Sequence, residues 1–209
     1  MWREEYKGAL HDVIHYSALG YQRGLVTAAG GNVSIRCAEG ILITRTGVSL
    51  REVTEADLLL VNLSGDILYN PGNGKPSKET GFHLGIYQAR RSVNCVYHVH
   101  PPYVTAFSIS VGEFPRVTSG AKNKLCAAPL IEPLRSGSRE LLEKIEHTVR
   151  ESNERTQALI LGAHGIVTFA STMEDCFQIA ELMEDSARIA YFDLQIRSAG
   201  ILETGGHRG

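Results

Sequence analysis

Two histidines separated by a single residue, His98 and His100, lie in an apolar stretch that ends at Pro101 and Pro102. Residues 95–100 predict a β-strand, on which side chains two positions apart point to the same side, with Cα atoms about 7 Å apart. Two imidazoles at this spacing can bind one divalent metal ion such as zinc. The alternative is a strand with one hydrogen-bonded and one exposed histidine, and the residues alone leave both interpretations open.

A third candidate metal ligand is His164, which lies in Gly-Ala-His-Gly at a tight turn between two apolar segments, 158–161 and 166–169. The flanking glycines would let a metal ion or a substrate approach the backbone closely. Two further histidines, His11 and His15, are four residues apart on the first predicted helix, a spacing that can also bind metal. No third ligand is evident near them in the sequence, so we interpret them as a solvent-exposed helix face.

Residues 76–79, Pro-Ser-Lys-Glu, predict the start of a helix. Free backbone N–H groups and the positive end of the helix dipole attract anions there, and Ser77 and Lys78 add a hydroxyl and a cation. Glu79 is either a capping carboxylate or a general acid and base beside a metal. His83, one turn later, could contact the metal ligands and help to orient them.

Two more loops are small and rich in hydrogen-bond donors, one at Gly31 and Asn32 and the other at Thr46 and Gly47. Each loop alone is typical of an ordinary turn. Together with the segment around Ser77 they could hold a phosphate through uncharged donors. Such a site would suit a chain whose formal net charge is only −2.

These residues need a scaffold that brings distant segments together. Apolar residues recur at helical spacing in some segments and form short alternating or continuous runs in others. The predicted helices are 3–23, one from about 77, a short one after 101, 138–152 and 173–198. The predicted strands are 33–36, 41–44, 57–62, 67–69, 95–100, 125–131, 158–161 and 166–169. Strands occur both as hairpins and between helices, which predicts an α/β fold with a mixed or mostly antiparallel sheet covered by helices.

Composition limits the class of protein. The chain has 209 residues, which predicts a single domain over 1–209 with a loose, glycine-rich tail at 203–209. Its near-neutral charge argues against a nucleic-acid or membrane surface. Four scattered cysteines favour reduced thiols, the N-terminus lacks the apolar run of a signal peptide, and no stretch approaches the about 20 apolar residues of a membrane span. We therefore expect a cytoplasmic protein.

Five short motifs, taken in order over about residues 5–195, resemble those of the class II aldolase/adducin family. They are Gly-Asn-Val-Ser at 31–34, Thr-Arg-Thr-Gly at 44–47, Pro-Ser-Lys-Glu at 76–79, His-Val-His-Pro at 98–101 and His-Gly at 164–165. The resemblance implies a three-layer α/β/α fold with a largely antiparallel central sheet. It also implies a homotetramer with active sites near the subunit interfaces.

The resemblance further implies a metal site and a phosphate site. Zinc, or another divalent ion such as Mn²⁺ or Co²⁺, would bind His98, His100 and His164, with Glu79 able to join the metal shell and to act as the acid and base. The implied phosphate contacts are Gly31, Asn32, Thr46, Gly47, Ser77 and Lys78.

The implied reaction is that of a metal-dependent carbon–carbon lyase of carbohydrate metabolism. A small phosphorylated ketose would undergo retro-aldol cleavage through an enediolate, giving dihydroxyacetone phosphate and an aldehyde. The family also contains 4-epimerases, decarboxylases of 3-oxo sugar-acid phosphates, and non-enzymatic adducin-like binding modules, which typically lack the full histidine triad. These three remain alternatives.

The chain departs from the family's aldolases at several positions. Lys78 stands where they usually have serine, and a lysine there resembles the decarboxylases of 3-oxo-tetronate phosphates. Neither residues 114–125 nor the tail after Ser198 contain the tyrosines that serve those aldolases as proton donors. The aspartate that the epimerases have in mid-chain is absent between Pro115 and Pro129.

Overall fold

A computed structural model describes residues 1–110 and 114–199 of the chain. Within these ranges eight strands form one sheet, in the order β4-β3-β2-β1-β5-β8-β7-β6. The strands are β1 (Asn32–Cys37), β2 (Gly40–Thr44), β3 (Leu58–Val61), β4 (Ile67–Tyr69), β5 (Cys95–Val99), β6 (Leu130–Ile131), β7 (Ala158–Leu161) and β8 (Gly165–Ala170). Neighbouring strands are antiparallel except for β6 and β7, which are parallel.

Six α-helices accompany the sheet in the described ranges. They are α1 (Lys7–Gln22), α2 (Thr80–Ala89), α3 (Pro102–Ser110), α4 (Ser119–Lys124), α5 (Arg139–Glu151) and α6 (Met173–Ser198). Short 3-10 turns at Glu4–Tyr6, Leu50–Glu52 and Glu55–Asp57 precede or connect these elements.

Each face of the sheet is covered by helices because alternate residues of its central strands are buried on opposite sides. On one face Leu42 and Tyr97 belong to a core shared with α1, α3, α4 and α6. On the other face Ile43 and Val96 belong to a second core shared with α2 and α5. The prediction of a three-layer α/β/α fold with a largely antiparallel sheet is confirmed.

Two predicted boundaries were wrong. The helix expected from about residue 77 begins at Thr80, because the bridge between Arg45 and Pro76 keeps the preceding chain extended and the backbone N–H of Thr80 closes a turn on the carbonyl of Ser77. The strand expected over 125–131 is limited to Leu130–Ile131.

The segment before that short strand differs from the prediction because a helix precedes it. Leu125 ends the unpredicted helix α4 by donating its backbone N–H to the carbonyl of Ala121. The proline at 129 has no N–H to donate to a neighbouring strand.

Three central strands, β1, β5 and β8, bring the candidate ligands together at one end of the strands. In the register of β1 with β5, Asn32 lies opposite His98, and β5 pairs in turn with β8. The hairpin between β7 and β8 carries His164, because Leu161 pairs with Gly165 across it. Segments more than sixty residues apart in the sequence are therefore neighbours.

Three further expectations concern the chain as a whole. The tail at 203–209, which we expected to be loose, lies outside the described residues. Among the described helices, none is both long and apolar enough to cross a membrane. All four cysteines are free, and Cys95 and Cys176 are buried.

Candidate metal centre

The three histidines proposed as metal ligands meet at one point. One side-chain nitrogen from each of His98, His100 and His164 lies within 4.8 Å of the other two. Their ring centroids are 4.8 to 5.0 Å apart, and the Nε2 atoms of His98 and His100 are separated by 3.0 Å. His98 is completely buried, and the other two are half-buried.

The hydrogen bonds around the histidines suit a divalent cation. The Nδ1 atom of His98 lies 2.8 Å from the carbonyl oxygen of Ile166, to which its N–H donates, so its Nε2 lone pair is free to face the other histidines. The Nδ1 atom of His164 is buried and has no hydrogen-bond partner among the described residues. Converging imidazole lone pairs repel one another unless a proton or a metal ion lies between them.

The electrostatics of the site favour neutral imidazoles, which is the state that binds metal. Burial, together with repulsion from His98, lowers the pKa of His100 to about 3. Burial and the same repulsion lower the pKa of His164 to about 4. Three nitrogen donors beside a carboxylate fit zinc and related divalent ions.

The carboxylate is that of Glu79, which is the N-cap residue of α2 and only 5% exposed. Its Oε2 atom lies 3.3 Å from His98 Nε2, and its Oε1 atom lies 3.6 Å from His164 Nε2. Asn32 Nδ2 donates to Oε2 at 2.8 Å and Ser136 Oγ donates to Oε1 at 2.6 Å. Each carboxylate oxygen is therefore held by one uncharged donor.

These contacts set the ionisation of Glu79. Burial on its own would raise the pKa of the carboxyl group. The adjacent His98 and the donors Ser136 and Asn32 oppose this effect, so the pKa of Glu79 is well below its ordinary value. Glu79 is thus an ionised carboxylate at neutral pH.

Two glycines allow the strands to come this close. Gly31 has a φ of +74°, and a Cβ atom there would lie 2.7 Å from the carbonyl oxygen of His98. A Cβ atom at Gly165 would meet the carbonyl oxygen of Val99 and would lie 2.8 Å from His100 Cδ2. Any side chain at either position would displace the strand that carries the histidines.

Four of the six predicted phosphate contacts lie in two segments that adjoin one another, the 46–47 loop and the segment just before α2. The backbone N–H of Thr46 donates to the carbonyl of Lys75 at 2.9 Å, next to the bridge between Arg45 and Pro76. The Ser77 side chain accepts from the backbone N–H of Glu79 at 3.2 Å. The 46–47 loop and the segment just before α2 therefore form one continuous rim.

The predicted contacts differ in their surroundings. Gly47 has a φ of +74° and open space around it, and the Lys78 side chain is exposed. The side chain of Asn32 is instead committed to two protein partners, because its Oδ1 atom lies 2.6 Å from His83 Nε2 and its Nδ2 atom binds Glu79.

Sequence reasoning missed Ser136 altogether. It lies 57 residues from Glu79, in the loop before α5, and no motif marks it. Its only signal is a Ser-Gly-Ser run just before an amphipathic helix, which by itself predicts a helix cap.

A large cavity of about 930 Å³ lies elsewhere in the molecule, where α1, α4 and α6 meet. It is lined by residues such as Arg23, Lys124 and Arg188 and contains none of the three histidines. Since a monomer surface can have large grooves without chemistry, we define the candidate site by its ligands rather than by cavity volume.

Comparison with known proteins defines the class. The family described as Class II Aldolase and Adducin N-terminal domain matches residues 11–191. An L-fuculose phosphate aldolase of Methanococcus maripaludis is 35% identical over 182 residues, covering 87% of this chain and 96% of the relative. A 3-oxo-tetronate 4-phosphate decarboxylase of Haemophilus influenzae is 28% identical, covering 84% of this chain and 82% of the relative.

A solved structure has the same fold. The L-fuculose-1-phosphate aldolase of Thermus thermophilus superposes with a TM-score of 0.81 at 24% identity, covering 91% of this chain and 96% of that one. The chain belongs to the class II aldolase and adducin family. Within that family it is an enzyme of the class II aldolase type, a lyase.

Proposed function

We propose that this chain is a divalent-metal lyase that cleaves a small phosphorylated ketose by a retro-aldol reaction into dihydroxyacetone phosphate and an aldehyde. The observation that carries the proposal is the position of the buried Glu79 carboxylate, whose oxygens lie 3.3 Å from His98 Nε2 and 3.6 Å from His164 Nε2. A base next to a Lewis-acid site is what proton transfer beside a polarised carbonyl requires. The 35% identity to an L-fuculose phosphate aldolase supports the same reaction class.

The histidines and Glu79 have different roles in the proposed reaction. A divalent ion bound to His98, His100 and His164, with zinc the first choice and Mn²⁺ or Co²⁺ the alternatives, would supply Lewis-acid polarisation of the substrate carbonyl. In cleavage Glu79 would take up the proton of the hydroxyl group that becomes the aldehyde carbonyl, and would return it to the carbon next to the polarised carbonyl after the carbon–carbon bond breaks. In the synthetic direction the same carboxylate removes that proton. Burial excludes water from around Glu79, which is 5% exposed.

We propose the rim formed by the 46–47 loop and the segment before α2 as the phosphate site. Thr46, Gly47 and Ser77 would offer uncharged donors, Gly31 would allow close approach, and Lys78 would add a cation. Arg45, in the same loop, instead pairs with Asp57, from Nε to Oδ1 at 2.6 Å.

Asn32 has a different part in this proposal. Both polar groups of its side chain are already hydrogen-bonded to protein partners, so we assign it to holding Glu79 rather than to the phosphate.

A decarboxylase of a 3-oxo sugar-acid phosphate is the second candidate, and Lys78 is the residue that favours it. Burial and His98 have the largest effects on the pKa of His164, and the ammonium group of Lys78 adds a smaller lowering through charge repulsion. A cation there could bind the carboxylate of a sugar acid. The 28% identity to a 3-oxo-tetronate 4-phosphate decarboxylase agrees with this role.

One experiment separates the two reactions. Metal-loaded protein is incubated with a panel of ketose 1-phosphates, and dihydroxyacetone phosphate is measured with a coupled dehydrogenase. A parallel arm supplies 3-oxo-tetronate 4-phosphate and measures carbon dioxide. Release of dihydroxyacetone phosphate supports the aldolase, whereas carbon dioxide without cleavage of any ketose phosphate supports the decarboxylase instead.

Substitution of Glu79 tests whether the activity depends on this site. Glu79→Gln should keep the bound metal and lower turnover at least about a hundredfold, because general acid–base catalysis typically contributes that much. Glu140→Gln, at an exposed position on α5, is the matched control and should behave as wild type. Wild-type turnover in Glu79→Gln would remove Glu79 from the mechanism.

We also propose that the chain is a homotetramer. The C-terminal half of α6 exposes large apolar side chains, with Tyr191 42%, Phe192 50% and Leu194 51% accessible. Exposed apolar surface of this kind is typical of subunit interfaces. Light scattering after size-exclusion chromatography should give four times the 22.9 kDa chain mass, and a monomer mass would contradict the proposal.

A further inference from the structure

A continuous series of buried hydrogen bonds extends from Glu79 into the protein core. Asn32 Nδ2 lies 2.8 Å from Glu79 Oε2, and Asn32 Oδ1 lies 2.6 Å from His83 Nε2. His83 Nδ1 lies 2.7 Å from Ser34 Oγ, which in turn lies 2.8 Å from the hydroxyl of Tyr87. The five side chains are each no more than 5% exposed.

The series arises because residues four apart on a helix lie over residues two apart on a strand. Glu79, His83 and Tyr87 are spaced four residues apart and form one row along α2, since residues i and i+4 share a helix face. Asn32 and Ser34 are two apart on β1 and point to the same side of the sheet. The helix row packs over the strand row, so the members alternate between helix and strand along the series.

The direction of every hydrogen bond in the series is set by the Glu79 carboxylate at one end of it. An ionised carboxylate only accepts, so Asn32 must present its amide N–H to Glu79 and its carbonyl oxygen to His83. His83 must then carry its proton on Nε2 and accept at Nδ1 from the hydroxyl of Ser34. The Ser34 oxygen accepts from Tyr87. The reverse orientation of the Asn32 amide would place an acceptor against the carboxylate.

The ionisation of the buried groups agrees with this arrangement. Burial lowers the pKa of His83 to about 3, with repulsion from His98 adding to the effect and the charge of Glu79 opposing it. Burial raises the pKa of Tyr87 well above its ordinary value. His83 is therefore neutral and Tyr87 is a hydroxyl donor over the whole physiological range.

We propose that this series is a positioning device, in which the Nε2-protonated tautomer of His83 locks the Asn32 amide so that its N–H holds Glu79 Oε2. His83 is a positioning residue, because it acts on Glu79 through Asn32 and contacts no reacting atom. A fully satisfied buried network specifies one arrangement of its members. The importance of that arrangement for turnover rests on the function proposed above for Glu79.

The first test reads the tautomer directly and needs no substrate. In ¹⁵N-histidine-labelled, zinc-loaded protein, the His83 resonances are assigned by their loss in the His83→Gln variant. A protonated Nε2 and an unprotonated Nδ1 from pH 6 to pH 8 are expected. A protonated Nδ1, or a cationic ring, would overturn the proposal.

The second test follows the amide that the series is inferred to lock. The Nδ2 protons of Asn32 should be protected from solvent exchange in wild type and in His83→Gln, since glutamine can present an N–H where His83 Nε2 was. In His83→Leu this protection should be lost, because the leucine offers no donor. Equal protection in all three proteins would show that His83 does not hold the amide.

The third test measures turnover with the best substrate found in the assays above. His83→Leu should lower kcat about tenfold or more with KM and metal content unchanged, as is typical of groups that orient a reactive residue. His83→Gln should recover part of that loss, and His147→Leu, at an exposed position on α5, should have no effect. Equal losses in the leucine and glutamine variants would refute the role of the N–H donor.

The results separate the two proposals. Absence of turnover in wild type, with the expected tautomer and a protected Asn32 amide, would contradict the proposed reaction and leave the positioning series intact. The wrong tautomer or an unprotected amide would contradict the series whether or not wild type turns over. Because the tautomer is read in wild type, a variant that fails to fold does not remove the test.

Discussion

Lowering the pH should destabilise this protein through His83, and the size of the effect follows from its burial. The pKa of His83 is about 3 in the folded protein, against 6.5 for an unperturbed histidine. Below the unfolded value the unfolded chain binds a proton that the folded chain does not bind, so protonation favours unfolding. The stabilising contribution of neutral His83 is therefore complete above about pH 6.5 and is lost progressively as the pH falls toward 3.

The magnitude can be worked out for a practical pH change. Between pH 7 and pH 5, about 1.5 pH units lie below the unfolded pKa, and each unit is worth about 1.4 kcal/mol. His83 should therefore cost the folded state about 2 kcal/mol over this interval. Other groups titrate in the same range, so the test compares wild type with His83→Gln, in which this one contribution is absent.

The assay is urea denaturation of metal-stripped protein at pH 7 and pH 5 and at one protein concentration. The loss of unfolding free energy between the two pH values should be about 2 kcal/mol smaller in His83→Gln than in wild type. His147→Gln, which removes an exposed histidine of α5, should show the wild-type pH dependence. The same pH dependence in His83→Gln and wild type would refute the inference that His83 is buried in its neutral form.

Two further substitutions test residues that support Glu79 and the histidines. Ser136→Ala removes the donor to Glu79 Oε1 and should lower kcat with little change in KM, which steady-state kinetics on the best substrate would show; an unchanged kcat would mean that Asn32 alone holds the carboxylate. Gly165→Ala should weaken metal binding, measured by competition with a chelator, because the new methyl group meets His100 and the Val99 carbonyl. Gly8→Ala on α1, where a Cβ has open space, is the control and should leave metal affinity unchanged; equal affinity in both variants would contradict this account of Gly165.

Much of the site could be predicted because its determinants are local in the sequence. The spacing of His98 and His100 predicts a shared strand face, and the glycines around His164 predict a tight turn. What brings His164 to the other two is the pairing of β5 with β8, which depends on tertiary packing. Spacing alone left the metal interpretation open, the glycine turn made His164 a third candidate, and the family resemblance implied that all three histidines bind one ion.

The supports of Glu79 show the limit of sequence reasoning. Asn32 was predicted to contact phosphate because it lies in a glycine-rich loop, but its register opposite His98 places its amide between Glu79 and His83. Ser136 reaches the same carboxylate across 57 residues of sequence. Neither contact follows from local propensity, since both depend on how β1, α2 and the loop before α5 pack together.

The central claim is that Glu79, beside the three histidines, transfers a proton at the carbon next to a polarised carbonyl. Deuterium exchange into dihydroxyacetone phosphate in D₂O, without any aldehyde, tests it most directly and can be followed by proton NMR. Metal-loaded wild type should exchange one hydrogen on the hydroxyl-bearing carbon, whereas metal-stripped protein and Glu79→Gln should exchange none. Exchange at the wild-type rate in Glu79→Gln, or its absence in metal-loaded wild type, would contradict the account.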